Sequence, residues 1–140
     1  MTAPDKAVGV VLVSHSRDVA EAVARLAAGL AGGGATAPVA AAGGTEDGGL
    51  GTSAERISAA AAEVDRGSGV AVLVDLGSAV LTVKALLAED LEDGGLPDGT
   101  RLADAPFLEG AVAAVVSASA GADLDAVVAA AEEAYTYRKQ

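Results

Sequence analysis

The chain has 140 residues, no cysteine, one histidine and a formal charge of −11. That length can bury a core as one domain over residues 1–140 without disulfide staples, and the missing thiols exclude thiolate chemistry and zinc–sulfur sites. The acidic balance argues against nucleic acid and anionic membrane surfaces, which need a basic face, but allows a basic protein partner.

A single His also excludes a multi-histidine metal centre within the chain. The hydrophobic fraction of 51% comes largely from alanine. Of the two long uncharged stretches, the one between Arg25 and Glu46 is interrupted by glycines and Pro38. The one between Glu109 and Asp123 is shorter than the roughly 18 apolar residues that a membrane span requires. The N-terminus has no apolar core followed by a small-residue cleavage site. A cytoplasmic location is the expectation.

The first element is an apolar run over residues 8–13, mostly β-branched, which stops at Ser14, His15 and Ser16. It is too short for a helix and too uniformly apolar for a half-exposed strand, so it reads as a buried strand of a parallel sheet. Val19, Val23, Leu26 and Leu30 then recur at helical spacing. A helix is expected over residues 17–31, capped by Ser16 and ended by Gly32, Gly33 and Gly34. Residues 35–42 are a short apolar segment containing Pro38. Proline lacks the donor a central strand needs, so an edge strand is expected. Gly43, Gly44 and Thr45 open a flexible, glycine-rich loop that reaches Gly51, whose backbone N–H groups are free to turn toward a ligand. No Gly–Lys–Ser/Thr follows, so it is not a Walker loop.

Thr52 and Glu55 fit a capping box, and Ile57, Ala61 and Val64 give a helical face up to Arg66 and Gly67. Residues 69–74 are a second strong buried strand, ending in Asp75, Leu76, Gly77 and Ser78. Val80, Leu81, Val83, Leu86 and Leu87 continue as a helix. The opening architecture is thus repeated: apolar strand, ionisable residue, Ser at the helix entrance. A turn-rich break over 93–99 and a weak strand over 100–105 follow. Two more helices are expected, one on Leu108, Val112, Val115 and Val116, the other on Leu124, Val127, Val128 and Tyr135. Asp123 and Asp125 near the start of the last helix, and Arg138 and Lys139 near its end, suit the helix dipole.

Alternating strands and helices imply an open, mainly parallel α/β sheet with helices on both faces. His15 and Asp75 each follow a strong strand at its carboxyl end. If those strands are neighbours where the strand order reverses, the two side chains meet in one crevice, the position where such sheets bind ligands. Asp75 would then accept the N–H of one ring nitrogen and leave the other nucleophilic. Otherwise Asp75 caps the following helix and His15 is a surface residue.

The segments VLVSHS, AAGGTEDGGLGTSAE, VLVDLGSAVLTVKALL and APFLEGAVAA resemble the mannose-type enzyme IIA family of the phosphotransferase system (EIIA). APFLEGA favours its dihydroxyacetone kinase branch. The resemblance is ordered and runs from residue 8 to about residue 130. It implies strand order 2-1-3-4, a homodimer, and a phosphohistidine carrier fed by the phosphocarrier protein HPr. The carrier would pass its phosphoryl group to ADP held on the subunit DhaL, in a system whose DhaK subunit converts dihydroxyacetone. By position the acceptor is His15 and the orienting carboxylate Asp75. N–H groups at Ser16, at Gly43, Gly44 and Thr45, and at Gly77 and Ser78 are expected to stabilise the transferred group. No metal or cofactor is expected on this chain, since ADP and magnesium arrive with the partner. Some relatives carry HPr-like and enzyme I-like domains; this chain ends at Gln140, so a separate donor is expected.

Competing readings remain. A mannose-type enzyme IIA domain serving sugar transport would use the same chemistry with another acceptor. Its sugar would need an aromatic platform, and Phe107, Tyr135 and Tyr137 lie far along the sequence. A receiver domain phosphorylated on Asp75 would need an acidic pair where Ser14, His15 and Ser16 stand. A histidine phosphatase would need an Arg before His15 and a second His. A flavodoxin-like binding module with an inert His15 is the non-enzymatic alternative.

Overall fold

The computed structural model describes residues 6–32 and 35–140. The expected helix-stop residues Gly33 and Gly34, and residues 1–5, lie outside the described part.

Four strands, β1 (Gly9–Ser14), β2 (Val39–Gly43), β3 (Val70–Val74) and β4 (Thr100–Leu102), form one sheet in the order β2-β1-β3-β4. Every neighbouring pair is parallel, as expected from the sequence. The helices are α1 (Arg17–Leu30), α2 (Ala54–Val64), α3 (Gly77–Leu87), α4 (Phe107–Ser119) and α5 (Leu124–Glu133). Side chains alternate across the two central strands. Val10, Leu12, Ala71 and Leu73 pack with Ala27, Ala111, Ala114, Val115, Val127 and Ala131 of α1, α4 and α5. Val11, Val13, Val70 and Val72 pack with Ile57, Ala61, Val64, Ala79 and Val83 of α2 and α3. Both faces of β1 and β3 are therefore covered, which is why these strands read as unbroken apolar runs.

Local chemistry sets the boundaries. Ser16 caps α1 by accepting from the Val19 N–H at 3.2 Å, as expected. Val19, Leu26 and Leu30 keep helical spacing but are exposed, and the helix buries Ala20 and Ala27 instead. Pro38 stands just before β2, an edge strand, where its carbonyl still accepts the Val10 N–H at 2.9 Å. The cap of α2 is Ser53, which accepts from Arg56 N–H, while Thr52 pairs with Thr82. The expected capping box is thus displaced by one residue and loses its reciprocal Glu55 bond. The last turn of α5 holds no basic residue. A 3₁₀ turn, Ala134–Thr136, follows it, and Lys139 lies beyond that turn against Glu109 at 2.6 Å. Arg138 and Lys139, both beyond the end of α5, therefore do not serve its dipole.

Gly9 on β1 lies close against Val64 at the end of α2. A Cβ there would lie 2.3 Å from the Val64 carbonyl oxygen, while one at Gly29 would meet nothing within 4 Å. Gly9→Ala is expected to destabilise the protein by about 1–3 kcal/mol through overpacking. Gly29→Ala, inside α1, should stabilise it by about 0.5–1 kcal/mol. Urea unfolding of the two variants checks both the signs and the sizes.

Candidate active site

The chain leaves β1 into α1 on one face and returns through α2 on the other, so the strand order reverses between β1 and β3. The carboxyl ends of β1 and β3 meet there, the position where open parallel sheets bind ligands. In the β1–β3 ladder Val13 pairs with Val74, so Ser14 and Asp75 come next, side by side. By alternation they continue the rows of Leu12 and Leu73.

His15 Nδ1 lies 3.0 Å from Asp75 Oδ1, with the two side chains 25% and 18% exposed. The His15 backbone N–H donates to Asp75 Oδ2 at 3.1 Å, and the Ser14 hydroxyl donates to the same oxygen at 2.9 Å. Burial works against the Asp75 carboxylate. The His15 N–H, the His15 ring and the Ser14 hydroxyl outweigh it and hold the carboxyl below its ordinary value. An ionised Asp75 can only accept, so in the neutral imidazole Nδ1 carries the proton and Nε2 the lone pair. Nε2 faces the Ser78 hydroxyl at 2.6 Å. Asp75 does not cap α3: the residue at that position is Leu76, and no side chain bonds there. Ser78 sits in the first turn of α3 with its hydroxyl on His15. The N–H groups of Gly77 and Ser78 open the helix and have no intrahelical acceptor.

Three of the other expected anion donors, at Ser16, Gly44 and Thr45, are engaged within the protein. Ser16 N–H donates to Ser14 Oγ at 3.1 Å. Gly44 N–H donates to the Ser14 carbonyl at 3.2 Å, and Thr45 N–H to the Gly49 carbonyl at 3.0 Å. Gly43 ends β2 opposite Ser14, and a Cβ on it would lie 2.5 Å from the Ser16 carbonyl oxygen. The loop is not a free ligand-seeking segment. It folds on itself through Thr45, Asp47 and Gly49, and its Gly51 N–H binds the His15 carbonyl at 2.9 Å. Its glycines permit close approach; Gly44, for instance, has φ +72° with Gly49 O only 2.8 Å from a would-be Cβ.

A cleft of about 690 Å³ runs from Asp75 and Gly77 along α3 to Lys84, with Arg101, Asp104 and Tyr135 opposite. Distance along the sequence misled here, because the 3₁₀ turn after α5 brings Tyr135 to the cleft beside Asp75. Ser14 was also not singled out in the sequence. The available signal was a hydroxyl at the inward position of an otherwise apolar strand. Among the described residues, no group of three or more His, Asp or Glu side chains is placed to hold a metal ion, and no helix is long and apolar enough to cross a membrane.

The EIIA-man family model, described as the PTS system fructose IIA component, matches residues 9–128. The chain belongs to the EIIA-man family. Within it, the chain falls with proteins described as phosphoryl donor subunit DhaM of PEP-dependent dihydroxyacetone kinase. One from Providencia stuartii is 33% identical over 134 residues, covering 95% of this chain and 28% of the relative. One from Pantoea ananatis is 39% identical over 122 residues, covering 86% of this chain and 25% of the relative. The chain thus spans about a quarter of the length of these two. A Listeria innocua relative of kinase 2 is 32% identical over 121 residues, covering 86% of this chain and 94% of that one. The EIIA-man fold also matches a crystal structure of a protein of unknown function, EF1359. It has a TM-score of 0.77 and 28% identity, covering 96% of this chain and 98% of that one.

The depressed Asp75 carboxyl carries a pH signature. Between its lowered native value and its unfolded value near about 3.9, the unfolded chain binds more protons, so stability rises with pH there. Asp75's contribution is complete above that window and is lost as pH falls through the native value. Acid unfolding followed by circular dichroism between about pH 5 and pH 2 should therefore be steeper for the native chain than for Asp75→Asn.

Proposed function

We propose that this chain is a phosphohistidine carrier that takes a phosphoryl group from HPr onto His15 Nε2. It hands the group to ADP bound on the DhaL subunit of a dihydroxyacetone kinase, with DhaK in the same system. The observation that carries the reading is the division of labour on one imidazole. Asp75 holds Nδ1–H at 3.0 Å, and Nε2 is left with its lone pair on a partly exposed side chain.

In the loading step the Nε2 lone pair attacks phosphorus and forms an N–P bond, while the N–P bond to the donor histidine breaks and its electrons return to that ring. Transfer is loose and nearly in line, so the protein mainly positions groups and stabilises charge. The imidazole keeps its Nδ1 proton throughout, and Asp75 stabilises the positive charge that develops on the ring. Ser78 Oγ turns from Nε2 to a phosphoryl oxygen, beside the N–H groups that open α3. In the discharge step a terminal phosphate oxygen of ADP attacks phosphorus, the Nε2–P bond breaks and its electron pair returns to the ring. The partner brings the nucleotide, its magnesium and the cationic groups around it, and this chain brings no cofactor of its own. The phosphotransferase acts as a cytoplasmic homodimer in this reading.

The second reading is an enzyme IIA domain of a mannose-type sugar-transport system. The family's description as a fructose IIA component favours it. The near full-length match to the Listeria DhaM weighs for the first.

Incubation with phosphoenolpyruvate, enzyme I and HPr should place acid-labile, base-stable label on the native chain and none on His15→Ala. Asp75→Asn should load about 10²-fold more slowly. The labelled chain should discharge rapidly to ADP-loaded DhaL, and neither free ADP nor a IIB protein should match that rate. Fast discharge to IIB with none to ADP-loaded DhaL would promote the sugar-transport reading. Stoichiometric label on His15→Ala would remove both.

A further inference from the structure

We infer that Ser14 is a positioning residue for the His15–Asp75 pair, its hydroxyl holding the carboxylate so that Oδ1 is aimed at the imidazole. The inference rests on the reading of His15 as phosphoryl acceptor.

Ser14 is 1% exposed and is the single buried polar residue among those described. Its row on β1 otherwise carries Val10 and Leu12, so packing alone calls for an apolar residue. The hydroxyl's bonds have a fixed direction. Ser16 N–H can only donate, so Ser14 Oγ accepts there at 3.1 Å. The single hydroxyl proton is then free for Asp75 Oδ2 at 2.9 Å. Oδ2 also receives the His15 backbone N–H at 3.1 Å. Rotating the carboxylate about Cβ–Cγ would break both bonds at once, which leaves Oδ1 held toward Nδ1. The same hydroxyl ties Ser16, the cap of α1, to this carboxylate. His15 is thereby clamped between two anchored neighbours. Alanine at this position would release one of the two tethers on Oδ2 and leave Ser16 N–H without its partner.

Three measurements test this on the full chain. Ser14→Ala should slow loading from phosphorylated HPr by about tenfold, the scale for groups that orient a histidine through a carboxylate. In an Asp75→Ala background the same substitution should change the rate by less than about twofold, because a residue acting through Asp75 has nothing left to act on. Independently of transfer, the Asp75 carboxyl carbon followed by NMR should titrate at higher pH in Ser14→Ala, since one hydrogen bond to the charged form is lost. The other ionisable groups around it are His15 and, along the cleft, Lys84, Arg101, Asp104 and Tyr135. All are unchanged between the two proteins. A native rate with an unmoved midpoint would overturn the inference, and so would a full tenfold loss in the Asp75→Ala background. If His15→Ala still takes label, the carrier reading falls and the NMR midpoint alone decides on Ser14. Should Ser14→Ala fail to fold, Ser14→Cys keeps the size with a weaker donor and must show the same upward shift.

Discussion

Because Val13 pairs with Val74 across the β1–β3 ladder, Ser14 and Asp75 leave the sheet together at its carboxyl end. A slip of one residue would turn every side chain of β1 to the opposite face. It would drive Val10 and Leu12 into the layer packed by α2 and α3, and carry Ser14 away from Asp75. The core that holds the sheet together therefore also specifies the site, and the two cannot be separated by mutation of the strands. A slip would mismatch the packed rows on both faces of β1 and β3 as well as break the polar contacts at their tips.

What the register delivers is an asymmetric imidazole. One nitrogen is committed to a carboxylate held by several donors, and the other faces a hydroxyl on the first turn of α3. These groups come from the ends of two strands and the start of one helix, all rigid elements, while the loop after β2 packs against them and binds the His15 carbonyl. This suits a phosphoryl acceptor, whose chemistry asks mostly for position. Membership of the EIIA-man family is in keeping with that arrangement.

Much of this was legible in the sequence because the signals were long or chemically singular. The apolar runs before Ser14 and Asp75 could only be buried strands, and the lone histidine sat where open sheets bind ligands. Less legible features turned on contacts between distant segments. Backbone donors at Ser16, Gly44 and Thr45 looked available, yet tertiary folding engaged each of them. Ser78 reads locally as a helix-entrance residue offering its N–H, whereas its hydroxyl meets His15, 63 residues away. Tyr135 reaches the cleft through a 3₁₀ turn that periodicity does not reveal. The edge position of β2 was expected from Pro38 within residues 35–42, and β2 is at the edge, although it begins one residue after the proline.

The helices on one face of the sheet bury mostly methyl groups: Ala27 on α1, Ala111, Ala114 and Ala118 on α4, and Ala131 on α5. Small side chains let backbones approach closely, and each buries little apolar area. Such a core has an uneven mutational landscape. Truncation removes almost nothing, since alanine has little left to lose. Enlargement, even by one or two carbons, finds no space in a close-packed layer and must move a helix. Only the smallest residues therefore fit at these positions without moving a helix. The valines and leucines of β1 and β3 can exchange among themselves with less penalty.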